Sequence, residues 1–463
     1  MQKTINASFL VLISVFFFWG FVAASNSILI PVFKDHFKLS QTQAMWVDVC
    51  FYVAYTIGSL LYLAYTFIFK KSIIEQLGYK NGIALGLCIS ALGTLLFIPA
   101  AQWSSFYLML MGLFVVGLGF SLQQTAANPL VIQSGNPQLG SQRLSLAGGI
   151  NNVGTTLAPV LIAYAIFGSV EGSSSKLDIH SIQLPFSILG LCFAAMALLF
   201  YLSKIPNPSV AEEGFEPQNT YFINNIKIPQ VGLGMIAIFL YVGVEVATAA
   251  NLPEFMKREL QVPTSQVAPF VSLFWASLMI GRWTGASAAF QTNATGQSLL
   301  RWILPYVAFF VYLGINALTG RSMEWAVPYF WIIPIVIVSD VLSQGKPERQ
   351  LCLFSVLGIV ALVFGMVLKG VWSAFALTSV GLFCSTLWPC IFTIAIRGMG
   401  AQSNVISSYL IMMIMGGGWI SLLQGKLADA YLGIRYSFII GILCFMYLVW
   451  YGWKAQKWKQ NQL

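Results

Sequence analysis

Gln123-Gln124-Thr125-Ala126-Ala127-Asn128-Pro129 interrupts an apolar stretch that runs from Phe106 to Ile132. The reading of that run decides the fold. The stretch is long enough to cross a bilayer, which takes about 20 apolar residues. In hydrocarbon, a polar group without a partner costs on the order of several kcal/mol. Amides at that depth therefore face a bundle interior or a water-filled cavity. The segment implies a membrane-embedded helix bundle that handles a polar ligand at membrane depth.

The rest of the chain agrees. Of 463 residues, 58% are hydrophobic and 8% charged, with mean hydropathy +0.78. A soluble domain carries about 25% charged residues, so counting spans is the informative operation. The net charge is +9, but the basic residues sit in short connections beside apolar runs. That is a topology signal and not a nucleic-acid footprint. The seven cysteines at 50, 88, 192, 352, 384, 390 and 444 stand singly, mostly inside apolar runs, with no CxxC pair. They read as small apolar fillers, not as a disulfide or metal framework. The first apolar stretch, from about Ser8, reads as a retained helix and not a cleaved signal peptide.

Six spans are expected in the first half, at about 8–32, 43–69, 82–101, 106–132, 144–168 and 183–203. Lys204 to Gln230, with Glu212, Glu213 and Glu216 and several Pro and Asn, reads as a linker. Eight spans follow, at about 231–253, 266–289, 300–318, 325–342, 350–368, 371–396, 404–430 and 435–453. With the N-terminus inside, 15 of the 24 Lys and Arg fall on the cytoplasmic side and nine outside, which supports that orientation. Fourteen spans put the C-terminus inside too. Two halves joined by an inside linker fit a transporter built from repeats. Thr125-Ala-Ala-Asn-Pro129 has a counterpart in Ser385-Thr-Leu-Trp-Pro389, each with a hydroxyl four residues before a proline.

Helical spacing gathers the polar residues into stripes. Ser121, Gln124, Thr125 and Asn128 share one face, with Gln123 about 100° away. Trp19, Ala23, Asn26 and Ser27 share another, and Gly148, Asn151, Asn152 and Thr155 a third. Amides both donate and accept, which suits a ligand rich in hydroxyls, and a tryptophan suits its C–H face. The competing reading is interhelical hydrogen bonding. Glu245 lies near the centre of the seventh span, where a charge costs at least about 2.5–3.5 kcal/mol. It is a candidate coupling acid, and Asp48, near the start of the second span, is another. Arg143, Arg282 and Arg397 fall at helix ends and suit orientation and gating. Gly416-Gly-Gly418 has no phosphate-loop context and fits close helix packing. No HExxH, catalytic carboxylate pair or nucleophile elbow occurs, so an enzyme is not expected.

Several pieces in order resemble the fucose–galactose–glucose proton symporter family of the major facilitator superfamily. They are Phe17-Phe-Trp19 with Asn26-Ser-Ile-Leu-Ile-Pro31, Leu77-Gly-Tyr-Lys-Asn-Gly82, Thr125-Ala-Ala-Asn-Pro129, and Arg143-Leu-Ser-Leu-Ala147 with Asn151. Tyr241-Val-Gly-Val-Glu245, Gly281-Arg282, Pro389-Cys-Ile-Phe392, Leu423-Gln-Gly-Lys-Leu-Ala-Asp429 and Tyr451-Gly452 continue the series. The resemblance implies an all-α polytopic membrane protein of the major facilitator fold. Two six-helix halves, 1–203 and 231–463, would flank the cytoplasmic linker 204–230. Two additional spans, about 299–344, would form an inserted hairpin that preserves sidedness. The first, fourth, seventh and tenth core helices would line an alternating-access path. Trp19, Asn26, Ser27, Gln123, Gln124, Asn128, Asn151 and Trp388 would form the sugar site.

Three departures bear on coupling. Ser27 and Gln124 stand where the family carries acids linked to proton coupling and sugar binding, and Gly148 stands where a glutamine is usual. Neither Ser nor Gln titrates near neutral pH. Glu245, with Asp48, is then the expected proton or sodium site, with facilitated diffusion as the simpler scheme. The expected molecule is a monomeric permease for a neutral sugar, in a bacterial inner membrane, with lipid around it, without a cofactor or metal and without nucleic acid. An exporter of amphipathic compounds and a non-transporting sugar sensor are the rival readings.

Overall fold

The computed structural model describes residues 7–69, 73–133, 140–167, 179–203, 226–286, 294–317, 323–397, 399 and 403–460. Among these there is no strand. In the first half the helices are α1 (Ala7–Phe37), the single turn α2 (Gln41–Ala44), α3 (Trp46–Phe69), α4 (Ile73–Leu95), α5 (Phe97–Gln102), α6 (Phe106–Gln133), α7 (Gly140–Phe167) and α8 (Gln183–Leu202). The second half begins with α9 (Pro229–Leu260) and α10 (Ala268–Ala286). It continues with α11 (Ala294–Ala317), α12 (Ile333–Ser343), α13 (Pro347–Val367), α14 (Val371–Cys384), α15 (Leu387–Ile396), α16 (Ser403–Met412), α17 (Gly416–Leu427), α18 (Gly433–Ser437) and α19 (Ile439–Gln460). The expected linker lies outside the described residues up to 225, and Pro229 opens α9, where its missing N–H is harmless.

Thirteen described segments are long and apolar enough to cross a membrane. The fourteenth expected segment, 266–289, forms α10 but is not among them. Arg282, Trp283 and Thr284 make its last turns polar, and the helix is otherwise almost wholly buried between others.

Packing repeats between the halves. In the first, α1 lies on α7, α3 on α6, and α4 on both α6 and α8. In the second, α9 lies on α17, α10 on α14, and α13 on both α14 and α19. The same pairs in the same chain order make two six-helix halves. They meet where α3 lies against α17, α7 against α10, and α1 against α9. Helices α11 and α12 have no counterpart in the first half. They flank α10 and α13 as an inserted hairpin whose outer face stays apolar, with Trp302, Phe310 and Trp331 exposed. Asn316 donates to Ser272 at 3.3 Å, Ser277 and Tyr329 share a hydrogen bond of 2.6 Å, and Arg301 pairs with Asp340 at 3.1 Å. These bonds tie the hairpin to α10 and to itself.

Prolines account for two of the places where the chain departs from simple spans. The expected span 325–342 starts as a 3-10 helix, Glu324–Trp331, containing Pro328, and Pro334 then opens α12 instead of kinking it. The expected span 371–396 is broken at Ser385 and Thr386, upstream of Pro389. A proline lacks the N–H that would bond the carbonyl four residues back, here that of Ser385. By contrast α6 runs helical through Thr125 to Asn128. The first span also extends beyond its expected end, to Phe37.

Candidate functional site

The first-half stripes divide into two populations. Gln123 is fully buried; it accepts from the Trp19 indole Nε1 at 2.8 Å and donates to Ser90 Oγ at 2.9 Å. Trp19, 4% exposed, also packs on Phe16 with ring centroids 4.3 Å apart. This chain of bonds ties α1, α4 and α6 together, so in this conformation neither side chain offers a free polar edge. Gln124, Thr125 and Asn128 are only half-buried on the adjacent face of α6. Gln124 Nε2 donates to the Tyr55 hydroxyl at 3.3 Å, a long and easily exchanged bond. Asn151 is also half-buried and donates to the Phe16 carbonyl at 3.0 Å, leaving its amide oxygen available. Asn26 and Ser27 are almost fully buried on α1.

The second half contributes aromatic and charged groups. Trp388 is half-buried, 6.2 Å from the Tyr241 ring and stacked on Phe392 at 6.3 Å. The Tyr241 hydroxyl donates to Glu245 Oε2, one helical turn along α9. Glu245 also lies in the field of Arg282. Arg282 in turn joins the halves. Its Nη1 donates to Asn152 Oδ1 on α7 at 3.1 Å, and its Nε donates to the Ser385 carbonyl at 3.2 Å. That carbonyl is the one Pro389 leaves unpaired, so the helix break supplies the acceptor that orients the guanidinium. Ser272 Oγ adds a bond to the Thr156 carbonyl, 2.7 Å, across the same α7–α10 seam.

A second polar network was not legible in the sequence. At the end of the bundle where α1 stops, Lys34 of the first half reaches Glu254 of the second at 2.5 Å, and Arg258 pairs with the same carboxylate. Asp35 takes Lys257 and the Thr264 hydroxyl, the latter at 2.8 Å. Gln41 Nε2 donates to Asn251 Oδ1 at 2.8 Å. Asp429 of the second half caps α2 of the first, accepting from the backbone N–H of Gln41 at 3.1 Å and of Thr42 at 2.7 Å. A carboxylate at the exposed N–H groups of a helix start is where the helix dipole favours it. The halves are therefore latched together at this end. Arg397 lies outside that seam, paired with Glu348. The side chain of Arg143 lies outside the described residues.

The glycine run performs close packing. A Cβ on Gly418 would sit 2.7 Å from Val49 Cα and 3.0 Å from the Asp48 carbonyl, so only glycine lets α17 lie on the backbone of α3.

A family model described as Major Facilitator Superfamily matches residues 10–343. A glucose/galactose transporter of Brucella abortus (strain 2308) is 31% identical over 460 residues, covering 97% of this chain and 94% of the relative. The L-fucose-proton symporter of Escherichia coli (strain K12) is 27% identical over 455 residues, covering 94% and 90%. The crystal structure of the Major Facilitator Superfamily transporter FucP in the outward conformation matches with TM-score 0.66 at 24% identity, covering 98% of this chain and 99% of that one. An inward-facing bacterial homolog of the human lysosomal transporter Spinster matches with TM-score 0.63 at 12% identity, covering 99% and 98%. At these identities the solved structures speak for the fold alone. The repeated packing of two six-helix halves, the family match over most of the chain and the full-length relatives agree, and the chain belongs to the fucose–galactose–glucose symporter family of the Major Facilitator Superfamily.

Proposed function

We propose that this chain is a permease for a neutral hexose or hexose derivative, which it moves unchanged across the membrane by alternating access. The observation that carries the reading is the half-buried amide surface of Gln124, Asn128 and Asn151 in the first half, together with the half-buried Trp388 of the second. Uncharged donors and acceptors beside an aromatic plane suit a molecule with hydroxyls on its rim and C–H on its faces. The full-length relatives named as glucose/galactose transporter and L-fucose-proton symporter support the same substrate class.

Residues 1–203 and 231–463 are the rocking units, with 204–230 as the linker and the hairpin at about 299–344 carried by the second unit. Both termini are cytoplasmic in a bacterial inner membrane, so the latch of Lys34, Asp35, Gln41, Glu254 and Asp429 lies on the outer side. The chain works as a monomer surrounded by lipid. Sugar contacts come from Gln124, Asn128, Asn151 and Trp388. Trp19 and Gln123 shape the wall behind them, and Asn26 and Ser27 lie deeper on α1. Proton transfer through Ser27 and Gln124 is not available, so coupling falls to Glu245 and Asp48. Glu245 reports to Arg282, and through it to the α7–α10 seam.

A thermal-shift screen of purified protein against hexoses, deoxyhexoses and amino sugars tests the substrate class. Stabilisation by at least one neutral hexose is the expected outcome. No response to any sugar, with stabilisation by amphipathic cations instead, contradicts the reading.

A further inference from the structure

The inserted hairpin reaches beyond its own half. Asn316, fully buried near the end of α11, donates from Nδ2 to Ser272 Oγ at 3.3 Å and to the Tyr312 carbonyl at 3.0 Å. Ser272, equally buried on α10, donates its one hydrogen to the Thr156 carbonyl of α7 at 2.7 Å. These residues form a chain of bonds from the hairpin, through the second half, into the first. A carbonyl has two lone pairs, so Thr156 can take the hydroxyl without giving up a helical bond. Helix α11 also touches α7 directly.

The direction of the Ser272 bond departs from the rest of its helix. Ser277 and Thr284, also on α10, donate back to their own helix, to the Leu273 carbonyl at 2.7 Å and the Ile280 carbonyl at 2.8 Å. That local bond is the ordinary habit of a helical hydroxyl. The same choice is open to Ser272, with the Ala268 carbonyl one turn back. Asn316 tips the choice: it occupies the Ser272 oxygen from the hairpin side, and the hydrogen is left to the seam. The height of the bond gives it a consequence. Helix α10 begins just after Thr264, whose hydroxyl donates to Asp35 in the latch at 2.8 Å. Ser272 therefore sits toward the latch end, and Arg282 about 15 Å farther along α10. Their partners on α7, Thr156 and Asn152, lie one turn apart on one face.

We propose that Asn316 and Ser272 are positioning residues of the transport cycle, which clasp the Thr156 carbonyl and hold the inter-half seam shut at the latch end. The hairpin, carried by the second half, thereby sets how readily that end opens. When the halves part there, Ser272 loses Thr156 and turns its hydrogen to the Ala268 carbonyl, while Asn316 keeps the Tyr312 carbonyl. Neither donor is stranded, so the clasp biases the equilibrium without locking it. Tyr312 supplies the contrast. Its hydroxyl donates to the Pro269 carbonyl at 3.1 Å, which ties α11 to α10 without reaching the first half. The effect of the clasp on transport rests on the permease reading; its effect on the seam does not.

The test is labelling of a Ser27→Cys parent by an impermeant maleimide, corrected for label taken by the native cysteines and read beside sugar uptake. Ser272→Ala and Asn316→Ala are each expected to label about 3- to 10-fold faster than the parent, the bias that one membrane-buried hydrogen bond supplies. The double variant labels no faster than Ser272→Ala alone, because Asn316 acts only through Ser272. Tyr312→Phe, which loosens the hairpin but leaves the clasp, labels at the parental rate. Parental labelling in Ser272→Ala, additive effects of the two alanines, or faster labelling in Tyr312→Phe overturns the proposal. If Asn316→Ala does not fold, Ser272→Ala against Tyr312→Phe carries the decision. Faster labelling in a protein that moves no sugar keeps the clasp and loses the permease; sugar uptake with parental labelling throughout loses the clasp and keeps the permease.

Discussion

Gln123 and Gln124 are neighbours with different duties. Spacing on α6 separates them by about 100°, and the structure puts one in a saturated interhelical chain and the other on a half-buried face. Their substitutions should therefore diverge. Gln123→Ala strands the Trp19 indole and Ser90 in a buried place, where an unmade hydrogen bond costs about 1–3 kcal/mol. A lower unfolding midpoint with an unchanged order of sugar preference is expected. Gln124→Ala leaves stability near wild type and removes a contact worth about 0.5–1.5 kcal/mol. Its half-saturating sugar concentration should rise roughly 3- to 10-fold in uptake assays. Arg282→Lys cannot reproduce the fork that holds Asn152 and the Ser385 carbonyl, so transport velocity should fall while the protein still folds. A wild-type rate in that variant would remove Arg282 from the seam.

Between elements, what matters is which pairs of helices move apart. The latch depends on Glu254, which holds Lys34 and Arg258 at once. Removing one partner of a nearly buried ion pair costs about 3–5 kcal/mol. Glu254→Gln should bias the halves toward opening at that end. Labelling of a cysteine introduced at Ser27 by an impermeant maleimide reads this directly. Faster labelling than in an otherwise wild-type background is expected, and equal rates would mean that the latch does not gate. Gly418→Leu forces α17 off α3, and expected transport is lost whatever the sugar. The sequence made the spans and the polar stripes readable, because both follow from helical period and apolar length. The latch was not readable. Its partners, such as Gln41 and Asp429, lie 388 residues apart, and their charges serve equally well as topology signals. The break at Ser385 was hidden too, since a proline marks a weak point without saying which donor will take the freed carbonyl.

For the whole molecule, the repeat was faintly written in Thr125–Pro129 and Ser385–Pro389. It becomes plain only in the packing, where α1–α7 and α9–α17 or α3–α6 and α10–α14 match pair for pair. The hairpin stands outside that symmetry; it packs mainly on the second half, with α11 also touching α7 of the first. The account joins a neutral-sugar surface, a latch on one side and an inter-half seam into one alternating-access permease. Counterflow in proteoliposomes tests that claim most directly: purified protein is reconstituted, loaded with unlabelled glucose or galactose, and diluted into trace labelled sugar. Transient accumulation of label is predicted, weakened in Gln124→Ala and absent in Gly418→Leu. Binding of sugar by the same preparation with no counterflow would contradict the account.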